Sequence, residues 1–113
     1  MKTGLYKHME RYAWKAEIIP GKLGEYIERH KNISPELKQV LKSAGICNYT
    51  IWNVGNKLFG YYECQKGIKY AAKIQSTSDV VQKWNEYMKD ILIMESDPEL
   101  GSQPLLKNVF YLE

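Results

Sequence analysis

An α+β fold is predicted, with an antiparallel sheet covered by helices on one face. Three observations predict it. Segments of period-two hydrophobicity alternate with segments of helical periodicity. A two-residue turn signal, Gly55-Asn56, joins the two middle strands. The element order reads β-αα-β-β-αα-β, which is the split, ferredoxin-like β-α-β-β-α-β arrangement with a pair of helices in each crossover. The 113 residues suit a single domain. Residues 1–10 read as a polar N-terminal extension and 11–113 as the folded unit.

The first strand begins near Tyr12. Tyr12, Trp14, Ala16 and Ile18 share one face, with Arg11, Lys15 and Glu17 on the other, until Pro20-Gly21 stops the run. Leu23, Tyr26, Ile27 and His30 follow at offsets 0, 3, 4 and 7, one face of a helix. Ser34 is a cap and Pro35 a first helical residue for the next helix. Leu37, Val40, Leu41 and Ala44 form its stripe, and Gly45 ends it. The second strand runs from Ile46 to Val54, with Cys47, Tyr49 and Ile51 on one face and Asn48, Thr50 and Trp52 on the other. Leu58 to Cys64 returns as its partner. Gly60 inside it marks a place where another group approaches the backbone. Ile68 to Gln75 reads as a helix. Ser78-Asp79 opens another, with Val80, Val81, Trp84, Tyr87, Met88 and Ile91 on its apolar face. Residues Glu95 to Pro104 read as a loop, and Leu105 to Leu112 as the last strand. Apolar and aromatic residues lie on both faces of several strands, which predicts a second covered face and a homodimer.

Composition removes several function classes. Hydrophobic residues make up 44% and charged residues 26%, an ordinary globular balance. The net charge is only +3, and no basic stripe exists to displace counterions from a nucleic acid. No apolar run approaches a membrane span and no apolar h-region follows the basic start, so neither a membrane partner nor a secretory leader is expected. The two cysteines, Cys47 and Cys64, lie too far apart for a CxxC and are too few for structural zinc. A cytoplasmic protein with free thiols is expected. Glycine-rich phosphate loops and GxSxG are both missing, so no nucleotide cofactor and no serine nucleophile are expected.

Acid/base chemistry remains. His8 falls in the patternless start and reads as solvated. His30 sits on an apolar helix face, one turn after Tyr26. That position suits either a core-edge histidine bonded to a carbonyl or a general acid/base. One inward histidine cannot supply a metal site. Nine Tyr and three Trp against two Phe favour a lining that is both aromatic and polar. Trp84, Tyr87 and Tyr49 are either core or ligand platform by the same spacing.

Several segments in this order resemble the L-rhamnose mutarotase family. They are Glu25-Tyr26-Ile27-Glu28-Arg29-His30, Pro35-Glu36-Leu37, Val40-Leu41-Lys42-Ser43-Ala44-Gly45, Asn48-Tyr49-Thr50-Ile51, Gln82-Lys83-Trp84-Asn85-Glu86-Tyr87-Met88 and Val109-Phe110-Tyr111-Leu112. The resemblance implies a dimeric α/β barrel and an isomerase that interconverts the α and β anomers of the monosaccharide L-rhamnose with no cofactor and no metal. It implies His30 and Tyr26 as catalytic residues, with Tyr26, Tyr49, Trp84 and Asn85 on the sugar. The chain departs from the family pattern at Ser34 and Asn85, where tryptophan is usual, and at Asn108, where glutamate is common. Those departures leave open another 6-deoxy sugar or another aldose. A non-catalytic ligand-binding or oxygenase-like member of the same barrel group is the reading of a different class.

Overall fold

The computed structural model describes residues 9–93 and 106–113. Its elements are β1 (Glu10–Ile18), α1 (Leu23–Lys31), α2 (Pro35–Ser43), β2 (Ile46–Val54), β3 (Lys57–Cys64), α3 (Ile68–Ser76), α4 (Asp79–Met88) and β4 (Leu92–Ile93). The sheet order is β2-β3-β1-β4, and every adjacent pair is antiparallel. The expected α+β class is therefore present. Among the described residues no helix is long and apolar enough to cross a membrane.

Local chemistry accounts for the element ends. The Leu37 N–H donates to Ser34 Oγ at 3.1 Å and the Val81 N–H donates to Ser78 Oγ at 3.2 Å, so both capping serines act as their positions demand. Gly45 ends α2 at φ 83, its N–H on the Lys42 carbonyl. Helix α3 has no capping side chain of its own. Glu10 reaches across from β1 instead, and its Oε1 accepts the Ile68 N–H at 2.7 Å.

The helix-side face of the sheet is set by register. Tyr12 opposes Tyr62, Trp14 opposes Gly60, and Ala16 opposes Leu58. These side chains are buried and join Tyr26, Ala71, Met88 and Ile91 in one core. Each large apolar member contributes about 1.5–3 kcal/mol by leaving water. Gly60 is where the close approach occurs: a Cβ built there would overlap the Trp14 indole. On the far face Trp52 opposes Phe59, and both are exposed.

Two expectations need correction. Cys47 does not share a face with Tyr49 and Ile51. It pairs with Glu63 on the far side, whereas Ile51 pairs with Gly60. Asn48 is the cause. It takes a left-handed conformation at φ 50, and the register shifts between Cys47 and Thr50, so two residues stand opposite Tyr62. Asparagine tolerates that conformation, and its Nδ2 donates to Glu63 Oε1 at 2.7 Å. The bulge turns Tyr49 toward the helices.

The fourth strand is not Leu105 to Leu112. It is the two-residue β4, which pairs with Glu17 and Ile18. Residues 106–113 form no strand. The Leu106 N–H donates to the Ala13 carbonyl at 2.7 Å, and the Arg11 guanidinium lies 3.7 Å over the Tyr111 ring. Val109, Phe110 and Leu112 are at least three-quarters exposed. His8, most of the expected extension 1–10, and the expected loop Glu95 to Pro104 lie outside the described residues; Glu10 already belongs to β1.

The Trp14–Gly60 contact yields a direct test. Gly60→Ala forces the indole or the strand to move, and should destabilise the fold by about 1–3 kcal/mol or more. Urea denaturation checks it, and an unchanged midpoint would mean the indole is free to shift.

Candidate functional site

A cavity of about 760 Å³ opens between the sheet and helices α1, α2 and α4. Its position follows from the chain. Helix α1 brings Tyr26 and His30, the bulged β2 brings Tyr49, and α4 brings Trp84 and Asn85, all onto the cavity wall. Tyr26, His30, Tyr49, Trp84 and Asn85 therefore lie in one place. Tyr87 does not: it is half exposed and outside the wall.

His30 is half-buried. Its ring centroid is 4.2 Å from that of Tyr26, and 5.2 Å from that of Trp84, which it meets edge-on. Its Nδ1 lies 3.0 Å from the Tyr26 carbonyl oxygen. A carbonyl only accepts, so Nδ1 carries the proton and donates. In the neutral ring Nε2 is then left with the lone pair. Burial lowers the His30 pKa below its usual 6.5, and the bond to Tyr26 opposes that only in part. The imidazole is neutral at pH 7.

The two phenols behave in the opposite sense. Tyr26 is 5% exposed, and burial, with Tyr49 nearby, pushes its pKa far above the usual 10. Tyr49 shows part of its ring to solvent while its hydroxyl faces inward. Burial pushes that hydroxyl to about 12, with the neighbouring Trp14 N–H pulling the other way. That N–H is buried and completes no hydrogen bond of good geometry among the described residues. Beneath Tyr49 the ring of Tyr62 lies at 4.8 Å, and Tyr12 stacks on Tyr62 at 4.9 Å. A stack of aromatic rings thus backs Tyr49 from behind the cavity wall.

The rest of the wall is apolar, with Leu23, Leu37, Leu41 and Val81, and polar at Asn53, Asn85, Lys31 and Lys38. Among the described residues no carboxylate lines it. Asn53 and the lysines escaped sequence reasoning. Asn53 was readable in principle, since it continues the Tyr49–Ile51 alternation. Ser34, one departure from the family pattern, is occupied as the α2 cap. Among the described residues no group of three or more His, Cys, Asp or Glu could hold a metal ion. Such an arrangement can give and take protons around a small polar ligand: one neutral base and two tyrosines that keep their protons line the same cavity.

Comparison with known proteins adds a family. A family profile described as L-rhamnose mutarotase matches residues 11–112. A protein of Listeria monocytogenes serotype 4b named L-rhamnose mutarotase is 40% identical over 107 residues, covering 92% of this chain and 99% of its own. One from Lachnoclostridium phytofermentans with the same name is 34% identical over 108 residues, covering 93% of this chain and all of its own. The crystal structure of the L-rhamnose mutarotase of Formosa agariphila superposes with a TM-score of 0.74 at 33% identity, covering 92% of this chain and 99% of that one. A NIPSNAP-like domain protein of Burkholderia xenovorans shares the fold at a TM-score of 0.56 and 13% identity. Matched over nearly its whole length in both sequence and structure, the chain belongs to the L-rhamnose mutarotase family.

Proposed function

We propose that this protein is a carbohydrate isomerase, a mutarotase that interconverts the α and β anomers of L-rhamnose by acid/base ring opening and closure. The observation that carries the reading is the meeting of a neutral, tautomer-fixed His30 with the protonated Tyr26 and Tyr49 in one cavity. The family's relatives, which bear that name, supply the substrate.

The chemistry follows from the protonation states. His30 Nε2 takes the proton of the anomeric hydroxyl. As the C1–O5 bond breaks, O5 receives a proton from a tyrosine hydroxyl. The proton arrives as the bond breaks, so O5 leaves as a hydroxyl and not as an alkoxide. The open aldehyde turns about C1–C2. On closure the phenolate recovers its proton from O5, and the imidazolium returns one to O1. Tyr26, whose ring adjoins His30, is the donor we assign, since its phenolate would form beside an imidazolium. Tyr49, Trp84 and Asn85 hold the sugar. No electrons move between centres and no leaving group departs, so the reaction calls for no cofactor.

The proposal extends to assembly. The strand order β2-β3-β1-β4 supports reading the protomer as ferredoxin-like. Trp52, Val54 and Phe59 on the far face, with Val109, Phe110 and Leu112, leave apolar surface that a second copy would cover, giving a dimeric α/β barrel. A cytoplasmic location completes the reading, supported by two free thiols, Cys47 and Cys64.

Exchange NMR on the anomeric protons of L-rhamnose, with other aldoses alongside, should show interconversion accelerated by the protein, most strongly for L-rhamnose. No acceleration of any aldose would sink the proposal. His30→Asn should reduce the catalysed rate by about 10²–10⁴-fold. Tyr26→Phe should cost less; a loss as large as that of His30→Asn would make Tyr26 the principal proton carrier.

The pH profile has a defined sign. The working His30 is neutral and its pKa lies below 6.5, so the rate should stay flat above neutrality and fall only with a midpoint under 6.5. The folded state also prefers the neutral ring, so its contribution to stability is present above 6.5 and lost as pH falls through the lower, folded value. A kinetic midpoint above 6.5 would contradict the assignment. Light scattering should give twice the chain mass, and a monomer at micromolar concentration would remove the dimer.

A further inference from the structure

Arg29 is His30's neighbour in sequence, yet it is not part of the cavity wall. Its guanidinium crosses instead from α1 to the end of α4. Nε donates to Glu25 Oε2 at 2.9 Å. Nη1 donates to the Tyr87 carbonyl at 2.7 Å and to Asp90 Oδ1 at 2.9 Å, and Nη2 donates to Asp90 Oδ2 at 3.2 Å. The central carbon sits 4.1 Å over the Tyr87 ring. The Arg29 side chain is only 9% exposed, while Glu25 and Asp90 are 51% and 68% exposed. It is therefore packed beneath its partners in a two-pronged, directional arrangement.

An ion pair with such exposed carboxylates adds little to stability. Geometry is what it supplies. The same two helices carry the rings that meet at the cavity, His30 on α1 and Trp84 on α4. Tyr87, which both accepts from and stacks on the guanidinium, lies 6.0 Å from Trp84. Consecutive residues on a helix point about 100° apart. Holding Arg29 against α4 therefore fixes the rotation of the turn that carries His30.

We propose that Arg29 is a positioning residue, whose clamp on Tyr87 and Asp90 sets the His30 imidazole against Trp84 at the cavity. Its effect on turnover rests on the reading of His30 as the proton carrier; its effect on ring geometry does not.

The test uses Arg29→Met, which keeps a long apolar stem and removes every donor. In the unaltered protein the Trp84 indole N–H resonance, assigned with Trp84→Phe, should shift with pH as His30 titrates. In Arg29→Met that shift should be lost while circular dichroism stays unchanged. kcat should fall about 10–100-fold with less change in KM, the scale of a small misplacement of a reacting group. Arg29→Lys should not rescue, because an ammonium offers a point charge rather than a planar fork. If Arg29→Met keeps both the indole shift and kcat, the clamp is a surface staple and the proposal is overturned. If Arg29→Met does not fold, Asp90→Asn, altered only at an exposed carboxylate, decides on the same two readouts, with a smaller loss expected in each. Should the unaltered protein exchange no aldose, the mutarotase reading fails, and the indole shift alone decides the clamp.

Discussion

The site depends on a large ring lying over a missing side chain. Trp14 on β1 faces Gly60 on β3, and the space a Cβ would fill belongs to the indole. Flattened against the sheet, Trp14 leaves room above the strands for Tyr49, whose hydroxyl it meets. Tyr49 in turn rests on Tyr62, and Tyr62 on Tyr12. A side chain at residue 60 would lift the indole, and the lift would pass to Tyr49 on the cavity wall. Stability and site shape therefore share one contact at the centre of the sheet.

The electrostatics of the cavity come from what surrounds the ionisable groups. Histidine in many acid/base sites is held by a carboxylate, which favours its charged form. Here the orienting partner is the Tyr26 carbonyl, and among the described residues no carboxylate lines the wall. Burial then dominates, and it favours the neutral form of imidazole and phenols alike. The result is a base that is unprotonated at neutral pH beside acids that keep their protons. Ring opening of a hemiacetal is slow but not forbidding in water, so two positioned proton carriers can meet a modest demand. A small domain built around one cavity is enough for that.

Much of this was legible in the residues. Alternation in β1 named the buried set Tyr12, Trp14, Ala16 and Ile18, because a strand with one wet face must separate polar from apolar at period two. Ser34, Pro35, Ser78 and Gly45 marked helix ends through their own bonding. Tyr26 and His30 were legible as neighbours from their spacing of four. The Asn48 bulge was not, because a left-handed asparagine in a strand has no periodic signature, and it alone moved Cys47 to the far face. Nor was the fourth strand. Leu105 to Leu112 has the stronger β composition, yet Leu92 and Ile93 are the residues that pair with Glu17 and Ile18, while the later segment reaches β1 through the Leu106–Ala13 bond without forming a ladder, so composition alone did not name the strand. Arg29's bonds to Asp90, sixty-one residues away, lie beyond any local pattern.

One residue ties the site to the proposed assembly. Trp52 sits in register with Phe59 on the far face of the sheet, yet it also lines the cavity, and it is 68% exposed. It stands at the rim where β2 forms the border of the sheet. A second copy laid against the far face would bury part of this indole and restrict its rotamers. The freedom of one cavity wall would then depend on the neighbour. In that arrangement dimerisation would do more than hide apolar surface: it would stiffen the edge of the sheet that carries Tyr49, and so make the place of that hydroxyl in the cavity a property of the pair of protomers.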